Sequence, residues 1–318
     1  MKSLTKCTAG AIIKEVDNSH TVIWGVSMKK FLLCMIAAVM LLLTPAVIGE
    51  THAVLADETQ QTGWVKENGA IYYYNSSHQR VVGKQKINGY YYYFRKKGSG
   101  RGQLRTGIVK IKKVEYYFKK TGKIGVIGRA LNGWVKIKNR GFCYCDNGRI
   151  LKNCWVQDYY VTGNGAMNAS STRMFKLTRK TVKSLCNNSM TKLQKLRRVY
   201  EYLCSSSFRY VTKRPFSYAS SWRLTYGYEM LTTHSGVCYN FAAALAYMAR
   251  YIGFTEVKAI AGELLYLEGY WDLHSWTKIK VNGTWYVFDA SMEHGGRGNF
   301  YMKSYAGTGR KYREWSHL

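Results

Sequence analysis

Short alternating segments of aromatic and polar residues recur between residues 60 and 157. Each complete unit opens on a glycine and a short apolar strand, turns, and continues in a strand rich in tyrosine and phenylalanine. Units open at 63, 83, 107 and 133, and a last, partial unit opens at 154. Asn68-Gly69 and Asn88-Gly89 stand at turns, where a two-residue hairpin needs positive φ at both positions. Since one hairpin cannot bury its aromatic face alone, the pattern predicts an elongated all-β solenoid of stacked hairpins.

The pattern changes after residue 157. Residues 158–190 are polar and contain Gly163-Asn164-Gly165, which favours a linker that leads into a second domain. From Thr191 a helical period begins, because apolar residues recur on one stripe while lysines and arginines face away. That stripe consists of Leu193, Leu196, Val199, Tyr200 and Leu203. A second helix is predicted over 238–252, where alanine dominates and Gly253 suits the left-handed position past a helix end.

A β-hairpin is predicted around Asn282-Gly283, which separates two apolar strands. The two-residue turn pairs Val281 with Thr284. This register brings His274 and Asp289 to the same face as diagonal neighbours, about 5–7 Å apart between backbones. A shift of one residue would place them on opposite faces of the sheet.

Cys238 is the candidate nucleophile, because it opens the second predicted helix behind Gly236-Val237. Amide dipoles at a helix N-terminus favour a reactive thiolate. Asp289 is placed so that its carboxylate can accept a hydrogen bond from His274. That bond would fix the tautomer of the imidazole and stabilise its charged form. The candidate catalytic residues are therefore Cys238, His274 and Asp289.

Other ionisable residues near these positions offer alternatives. Glu263 and Asp272 could replace Asp289 if the hairpin register is shifted. His234 and His294 are interpreted as loop residues, because neither fits the same arrangement.

Three ordered motifs resemble those of the transglutaminase-like superfamily: Gly236-Val237-Cys238, His274-Ser275-Trp276 and Trp285-Tyr286-Val287-Phe288-Asp289. The resemblance covers roughly residues 191–302 and implies an α+β, papain-like core, in which the helix that bears the cysteine packs on an antiparallel sheet. Ala290-Ser291 departs from the family's usual Pro-Thr at the strand exit but removes no catalytic group.

The resemblance also implies a mechanism. Cys238 attacks an amide carbonyl, His274 protonates the leaving amine, Asp289 orients His274, and a thioester forms without a metal or a cofactor. The backbone N–H of Cys238 donates to the oxyanion. The second donor stays open, with Trp222, Tyr226 and Tyr228 as candidates. The thioester could then be hydrolysed by water or transferred to an amine, and both alternatives stay open. The alternative function is that of a catalytically inactive surface adhesin.

The repeats resemble the cell-wall-binding repeats, of the choline-binding type, found in Gram-positive surface proteins. Those repeats hold choline in aromatic cages by cation–π attraction. Here Lys84 and Ile108 replace the opening tryptophan, and Cys143 replaces an aromatic residue. Residues 63–157 contain 21 Lys and Arg but only three acidic residues. An anionic cell-wall polymer is therefore favoured over choline as the partner, and a spacer that binds nothing is the alternative.

The net charge and a predicted export signal limit the classes of partner that the chain could bind. The 318 residues include 48 Lys and Arg against 18 Asp and Glu, a formal net charge of +30 that attracts polyanions. Met28-Lys29-Lys30, the apolar run from Phe31 and the small residues before Ala56 predict a secretory signal peptide that starts at Met28. A retained signal anchor is the alternative, since residues 31–49 could just span a bilayer. An exported protein is expected at the cell envelope, which disfavours nucleic acid as its partner.

The predicted organisation has four parts: a leader with the signal peptide (1–56), repeats (57–157), a linker and lead-in (158–190) and a catalytic domain (191–318). Six cysteines follow residue 56. If Cys238 is a free nucleophile, five remain, and an odd number cannot all pair within one chain. Cys143 and Cys145 are too closely spaced for a usual zinc knuckle.

Overall fold

A computed structural model describes residues 61–211, 216 and 219–315. Within these residues the chain is α+β, with β-hairpins first and then helices packed on an antiparallel sheet, as predicted. The predicted signal segment lies outside the described residues. Across the part of the chain that is described, no helix is long and apolar enough to span a membrane.

The repeat region folds into successive antiparallel hairpins, which open where the sequence predicts. Asn68 and Gly69 have φ of 46° and 78°, and the second Asn-Gly turn is alike, as the hairpin turns require. The strands are β1 (Gly63–Glu67), β2 (Ala70–Tyr74), β3 (Gly83–Ile87), β4 (Tyr90–Phe94), β5 (Gly107–Ile111), β6 (Val114–Phe118), β7 (Gly133–Ile137), β8 (Gly141–Asp146), β9 (Arg149–Ile150), β10 (Cys154–Val156) and β11 (Tyr159–Val161).

Neighbouring hairpins are joined by backbone and aromatic contacts. The Leu104 N–H, beyond the second hairpin, donates to the Ile71 carbonyl of the first at 2.7 Å. The Trp64 ring packs edge-on against Tyr92 of the next hairpin, with 4.9 Å between ring centroids. Because each hairpin buries its aromatic face on the next one, the predicted stacking is confirmed.

Residues 158–190, predicted as a linker and lead-in, have secondary structure of their own. This segment contains the end of the last hairpin and a 17-residue helix, α1 (Ala169–Leu185), which buries Met174 and Phe175. Phe175 packs against Tyr159 of β11, with 5.7 Å between ring centroids. The buried positions of α1 also include a serine and a threonine, so its buried face looks polar in the sequence. The last hairpin and α1 share one hydrophobic core with the C-terminal helices.

The C-terminal part places its helices against a sheet of strand order β16-β15-β14-β17. α4 is buried along most of its length and packs on β15, where the Thr277 hydroxyl donates to the Ala242 carbonyl at 2.9 Å. The elements are α2 (Lys192–Cys204), β12 (Arg209–Tyr210), α3 (Trp222–Thr233), β13 (Ser235–Gly236), α4 (Cys238–Ile252), β14 (Val257–Leu265), β15 (Trp271–Val281), β16 (Thr284–Phe288), α5 (Ala290–His294), a 3₁₀ turn (Ala306–Thr308) and β17 (Lys311–Glu314).

The first predicted helix of this part is confirmed as α2. It begins after Thr191, whose side chain accepts a hydrogen bond from the Gln194 N–H at 3.2 Å. Four residues of the predicted stripe are buried. Leu193 is the exception, since it lies in the first turn and is 39% exposed.

The predicted hairpin register is also confirmed. Val281 pairs with Thr284 across the Asn282-Gly283 turn, and the ladder continues to Thr277 opposite Phe288. Asn282 and Gly283 have φ of 48° and 86°, as such a turn requires. The end of β16 is therefore held beside β15 in a single register.

Candidate active site

Cys238 is the first residue of α4 and is 4% exposed. The Val237 N–H donates to Asn240 Oδ1 at 3.0 Å, and Asn240 Nδ2 donates to Glu229 Oε2 at 2.9 Å. Gly236 permits this packing, because a Cβ there would come within 2.5 Å of the Asn240 side chain. The helix start, and with it the sulfur, is thereby fixed to α3.

His274 and Asp289 form a buried pair, in which the imidazole Nε2 lies 2.6 Å from the carboxylate Oδ2. Their exposed fractions are 2% and 1%. Burial by itself lowers the pKa of His274, but the charge and hydrogen bond of Asp289, together with Cys238, outweigh it and raise the pKa to about 10. The imidazole is therefore protonated at neutral pH.

The Asp289 carboxylate is itself fixed by its surroundings. Oδ1 accepts hydrogen bonds from the Ser291 hydroxyl at 2.8 Å and from the Met292 N–H at 3.1 Å, at the start of α5. The Tyr312 hydroxyl of β17 donates to Oδ2 at 3.3 Å. These donors hold the carboxylate in the orientation that contacts His274.

The second ring nitrogen of His274 is left for Cys238. Nδ1 is buried and has no hydrogen-bond partner among the described residues. Cys238 lies close enough to His274 for its side chain to raise the pKa of the imidazole. The structure thus brings the three predicted residues together, with Nε2 on the carboxylate and Nδ1 available to the sulfur.

The alternative carboxylates lie elsewhere. Glu263 pairs with Arg313 at 3.8 Å and is partly exposed. Asp272 lines the small cavity at Cys238, and its Oδ1 accepts a hydrogen bond from the Leu273 N–H at 2.7 Å. The hydrogen-bond partner of His274 is Asp289.

His234 and His294, the two other histidines close to the motifs in sequence, contact residues outside the Cys238–His274–Asp289 group. His234 ends α3 in a left-handed conformation, with its Nε2 3.3 Å from the Tyr202 hydroxyl. His294 Nδ1 lies 3.3 Å from the Cys204 carbonyl oxygen.

Tyr210 is a site residue that sequence reasoning missed. It lines a cavity of about 50 Å³ with Cys238, and Trp222, Tyr226 and Tyr228 do not line that cavity. The side chain of Tyr210 is 47% exposed as a whole, but desolvation of its hydroxyl, followed by the charge of Cys238, raises its pKa, and the hydroxyl lies within hydrogen-bonding reach of Cys238. β12 runs parallel to β13 and pairs Tyr210 with Gly236. That pairing joins distant residues, so no local signal in the sequence reveals it.

In the described part of the chain, no group of three or more His, Cys, Asp and Glu side chains is arranged so that it could hold a metal ion. The six cysteines of this part are free thiols. Burial raises the pKa of Cys143 to about 11, and that of Cys145 and Cys204 to about 12.

The C-terminal part is similar to a transglutaminase-like core, and the hairpins that precede it are similar to cell-wall-binding repeats. Residues 179–290 match the family model of the transglutaminase-like superfamily. Residues 62–77 match the model of a cell wall binding repeat of the choline-binding type. Both resemblances seen in the sequence are confirmed.

Solved structures similar to this chain include choline-binding proteins of Streptococcus pneumoniae. CbpJ of strain TIGR4 is 26% identical, over 34% of this chain and 36% of its own, with a TM-score of 0.29. Choline binding protein F is 23% identical, over 34% of this chain and 40% of its own, with a TM-score of 0.18. The chain thus matches well under half the length of either. No curated protein matches it.

Proposed function

We propose that the chain is an exported, cell-wall-associated cysteine enzyme that acts on peptide amides through a thioester at Cys238. The observation that carries this proposal is the buried His274–Asp289 pair, joined at 2.6 Å, beside a cysteine at a helix start. An imidazole protonated at neutral pH stabilises a neighbouring thiolate, and a thiolate is the nucleophilic form of cysteine.

In the acylation step, the Cys238 sulfur forms a bond to the carbonyl carbon while the carbonyl electrons move to oxygen. The C–N bond then breaks as His274 Nδ1 gives its proton to the leaving amine. Neutral His274 next takes a proton from water or from an amine acceptor, which attacks the thioester. Collapse of that intermediate releases the acyl group and restores the thiolate and the imidazolium. Asp289 keeps Nε2 protonated throughout.

Two donors are proposed for the oxyanion. The first is the backbone N–H of Cys238 at the start of α4. The second is the hydroxyl of Tyr210, which replaces Trp222, Tyr226 and Tyr228 as our choice because it shares the cavity of Cys238.

For the repeats we propose an anionic wall polymer as the partner. Several tyrosine faces in the repeats already carry a cation of the chain itself. The Arg80 guanidinium lies 4.1 Å from the ring centroid of Tyr72, and Arg129 lies 3.7 Å from that of Tyr90. Lys84 Nζ lies 4.4 Å from the centroid of Tyr91. These faces are closed to an ammonium ligand, whereas the cations that cover them attract anions.

Retention on isolated cell walls tests this partner. The purified protein should elute progressively as salt rises, because surface charge attraction is screened. Elution by choline at constant ionic strength, with retention that ignores salt, would contradict the proposal.

We further propose that residues 1–56 direct export and that the catalytic unit reaches back to about residue 154. The second point follows from the shared core of the last hairpin, α1 and the C-terminal helices.

Thiol labelling tests the enzyme proposal. With iodoacetamide at neutral pH, Cys238 should react at least about tenfold faster than the other cysteines, whose thiols are mostly buried and of high pKa. The variant Cys238→Ala should lose the fast phase. Equal labelling of all six described cysteines, with no peptide processed, would favour the inactive adhesin instead.

The second half-reaction is tested by ammonia release from a glutamine peptide and by cleavage of the same peptide. Added amine that appears in the product indicates transfer, and a cleaved or deamidated peptide indicates hydrolysis.

A further inference from the structure

A groove of about 300 Å³ lies beside the cavity of Cys238. Tyr266 lines both of them, so that one aromatic side chain separates the sulfur from the groove. The other walls include Leu267, Tyr270, Met292, Arg297 and Arg310. A space of this size, next to a reactive sulfur, can hold a side chain of a bound peptide.

One wall of the groove is apolar and exposed. Leu267 is 80% exposed and Tyr270 is 52% exposed, at the tip of the β14–β15 turn. The turn is held in place, because the Tyr266 N–H donates to the Tyr270 carbonyl at 2.9 Å and the two rings stack at 5.3 Å. An apolar surface held open to solvent beside an active site is a typical ligand contact.

The lining of the groove also carries two guanidinium groups, those of Arg297 and Arg310. The Arg297 guanidinium lies 5.7 Å from the ring centroid of Tyr266 and donates a hydrogen bond to the Met292 sulfur at 3.8 Å. Among the described residues, neither Arg297 nor Arg310 forms an ion pair. Glu268 is the only acidic residue in the lining. The excess of positive charge suits a carboxylate, which arginine binds with strong, charge-assisted hydrogen bonds.

We infer that this groove binds the acyl-donor side of a peptide in which an acidic residue adjoins an aliphatic or aromatic one. The carboxylate pairs with Arg297 and Arg310, and the apolar side chain packs on Leu267 and Tyr270. This inference rests on the proposed function, since it takes the amide attacked by Cys238 to belong to the same peptide.

Binding to the full-length Cys238→Ala variant tests the groove without turnover. The probes are fluorescein-labelled Ala-Leu-Glu-Ala-Gln-Gly and the same peptide with glutamine in place of glutamate, followed by fluorescence polarisation in about 150 mM salt. We expect the glutamate peptide to bind about tenfold more tightly. Adding Arg297→Gln or Arg310→Gln should reduce that preference to nearly none. Leu267→Ser should weaken both peptides equally.

Arg173→Gln is the matched control, because Arg173 is an exposed arginine of α1 that does not line the groove. An equal loss in this control would overturn the inference, since the attraction would then come from the surface charge as a whole. Equal binding of the two probes would overturn it as well.

Turnover by the wild-type chain separates the two proposals. If the groove selects the acidic peptide but no thioester or product forms, the proposed enzyme fails and the groove stands. If product forms and the arginine variants change neither affinity nor KM, the groove fails and the enzyme stands.

Discussion

Replacing Asp289 by asparagine removes the charge beside His274 while keeping the size of the side chain. The asparagine oxygen can still accept the hydrogen bonds of Ser291 and the Met292 N–H that hold Asp289 at the start of α5. With the oxygen in that place, the amide nitrogen replaces Oδ2 and faces His274 Nε2, so the substitution removes both the charge and the hydrogen-bond acceptor of His274 while it keeps the packing.

The expected effect follows from the pKa of His274. A pKa of about 10, against a usual 6.5, corresponds to on the order of 5 kcal/mol in favour of the imidazolium. Without the Asp289 charge, burial dominates and lowers the pKa of His274, so that the imidazole becomes neutral at pH 7. The neighbouring thiolate then loses its counterion. Turnover should fall by about 10²- to 10⁴-fold, as for other Asp→Asn changes in such triads.

The assay is the rate of Cys238 alkylation by iodoacetamide between about pH 5.5 and 9, with turnover measured alongside. At pH 6 the Asp289→Asn variant should react at least about tenfold more slowly than the wild type. Asp272→Asn is the matched control, because Asp272 lines the same cavity but Asp289 is the partner of His274. A wild-type rate in Asp289→Asn, or a larger loss in Asp272→Asn, would refute the reasoning.

The same pair predicts how stability depends on pH. Because the pKa of His274 is higher in the folded chain, its contribution is fully present below pH 6.5 and is lost as pH rises through about 10. The free energy of unfolding of Asp289→Asn, measured with urea, should therefore lie furthest below wild type near pH 6. The gap should shrink towards pH 10, and a gap that does not depend on pH would count against the charged pair.

Three further substitutions test the surroundings of the site. Tyr210→Phe keeps the ring but removes the proposed oxyanion donor, so kcat should fall by about 10²- to 10³-fold. Circular dichroism should show an unchanged fold. An unaltered kcat would exclude Tyr210 as an oxyanion donor. Gly236→Ala places a Cβ within 2.5 Å of Asn240. The free energy of unfolding in urea should fall by about 1–3 kcal/mol, and Cys238 should be labelled more slowly. Wild-type stability and labelling would show that the start of α4 adapts freely. Arg250→Met breaks a 2.5 Å ion pair between α4 and Asp158 and should lower the free energy of unfolding by about 3–5 kcal/mol. A loss below about 1 kcal/mol would show that the last hairpin contributes little to the core.

The elements that the sequence predicts correctly are those whose signals are local. Asn282-Gly283 sets a turn that fixes the whole β15–β16 register, because both residues adopt positive φ. The start of α4 follows from a glycine-containing turn and an alanine-rich run. Local rules of this kind were enough to bring His274 and Asp289 to one face of the sheet.

The features that the sequence does not reveal depend on distant parts of the chain. Tyr210 reaches the site through a parallel pairing with Gly236, and residues 26 apart carry no pattern that predicts such a pairing. Helix α1 is hard to recognise in the sequence, because Ser171 and Thr178, both fully buried, make its inner face look polar. Burial of these two side chains depends on a core that the last hairpin completes.

The central claim is that Cys238 carries an acyl group during the reaction. The direct test is intact-mass spectrometry of the full chain, quenched in acid after brief incubation with a glutamine-containing acidic peptide. The account predicts an added acyl mass that maps to Cys238, is removed by hydroxylamine, and does not form in Cys238→Ala. Product formation by Cys238→Ala at the wild-type rate, or an adduct on another residue, would contradict it.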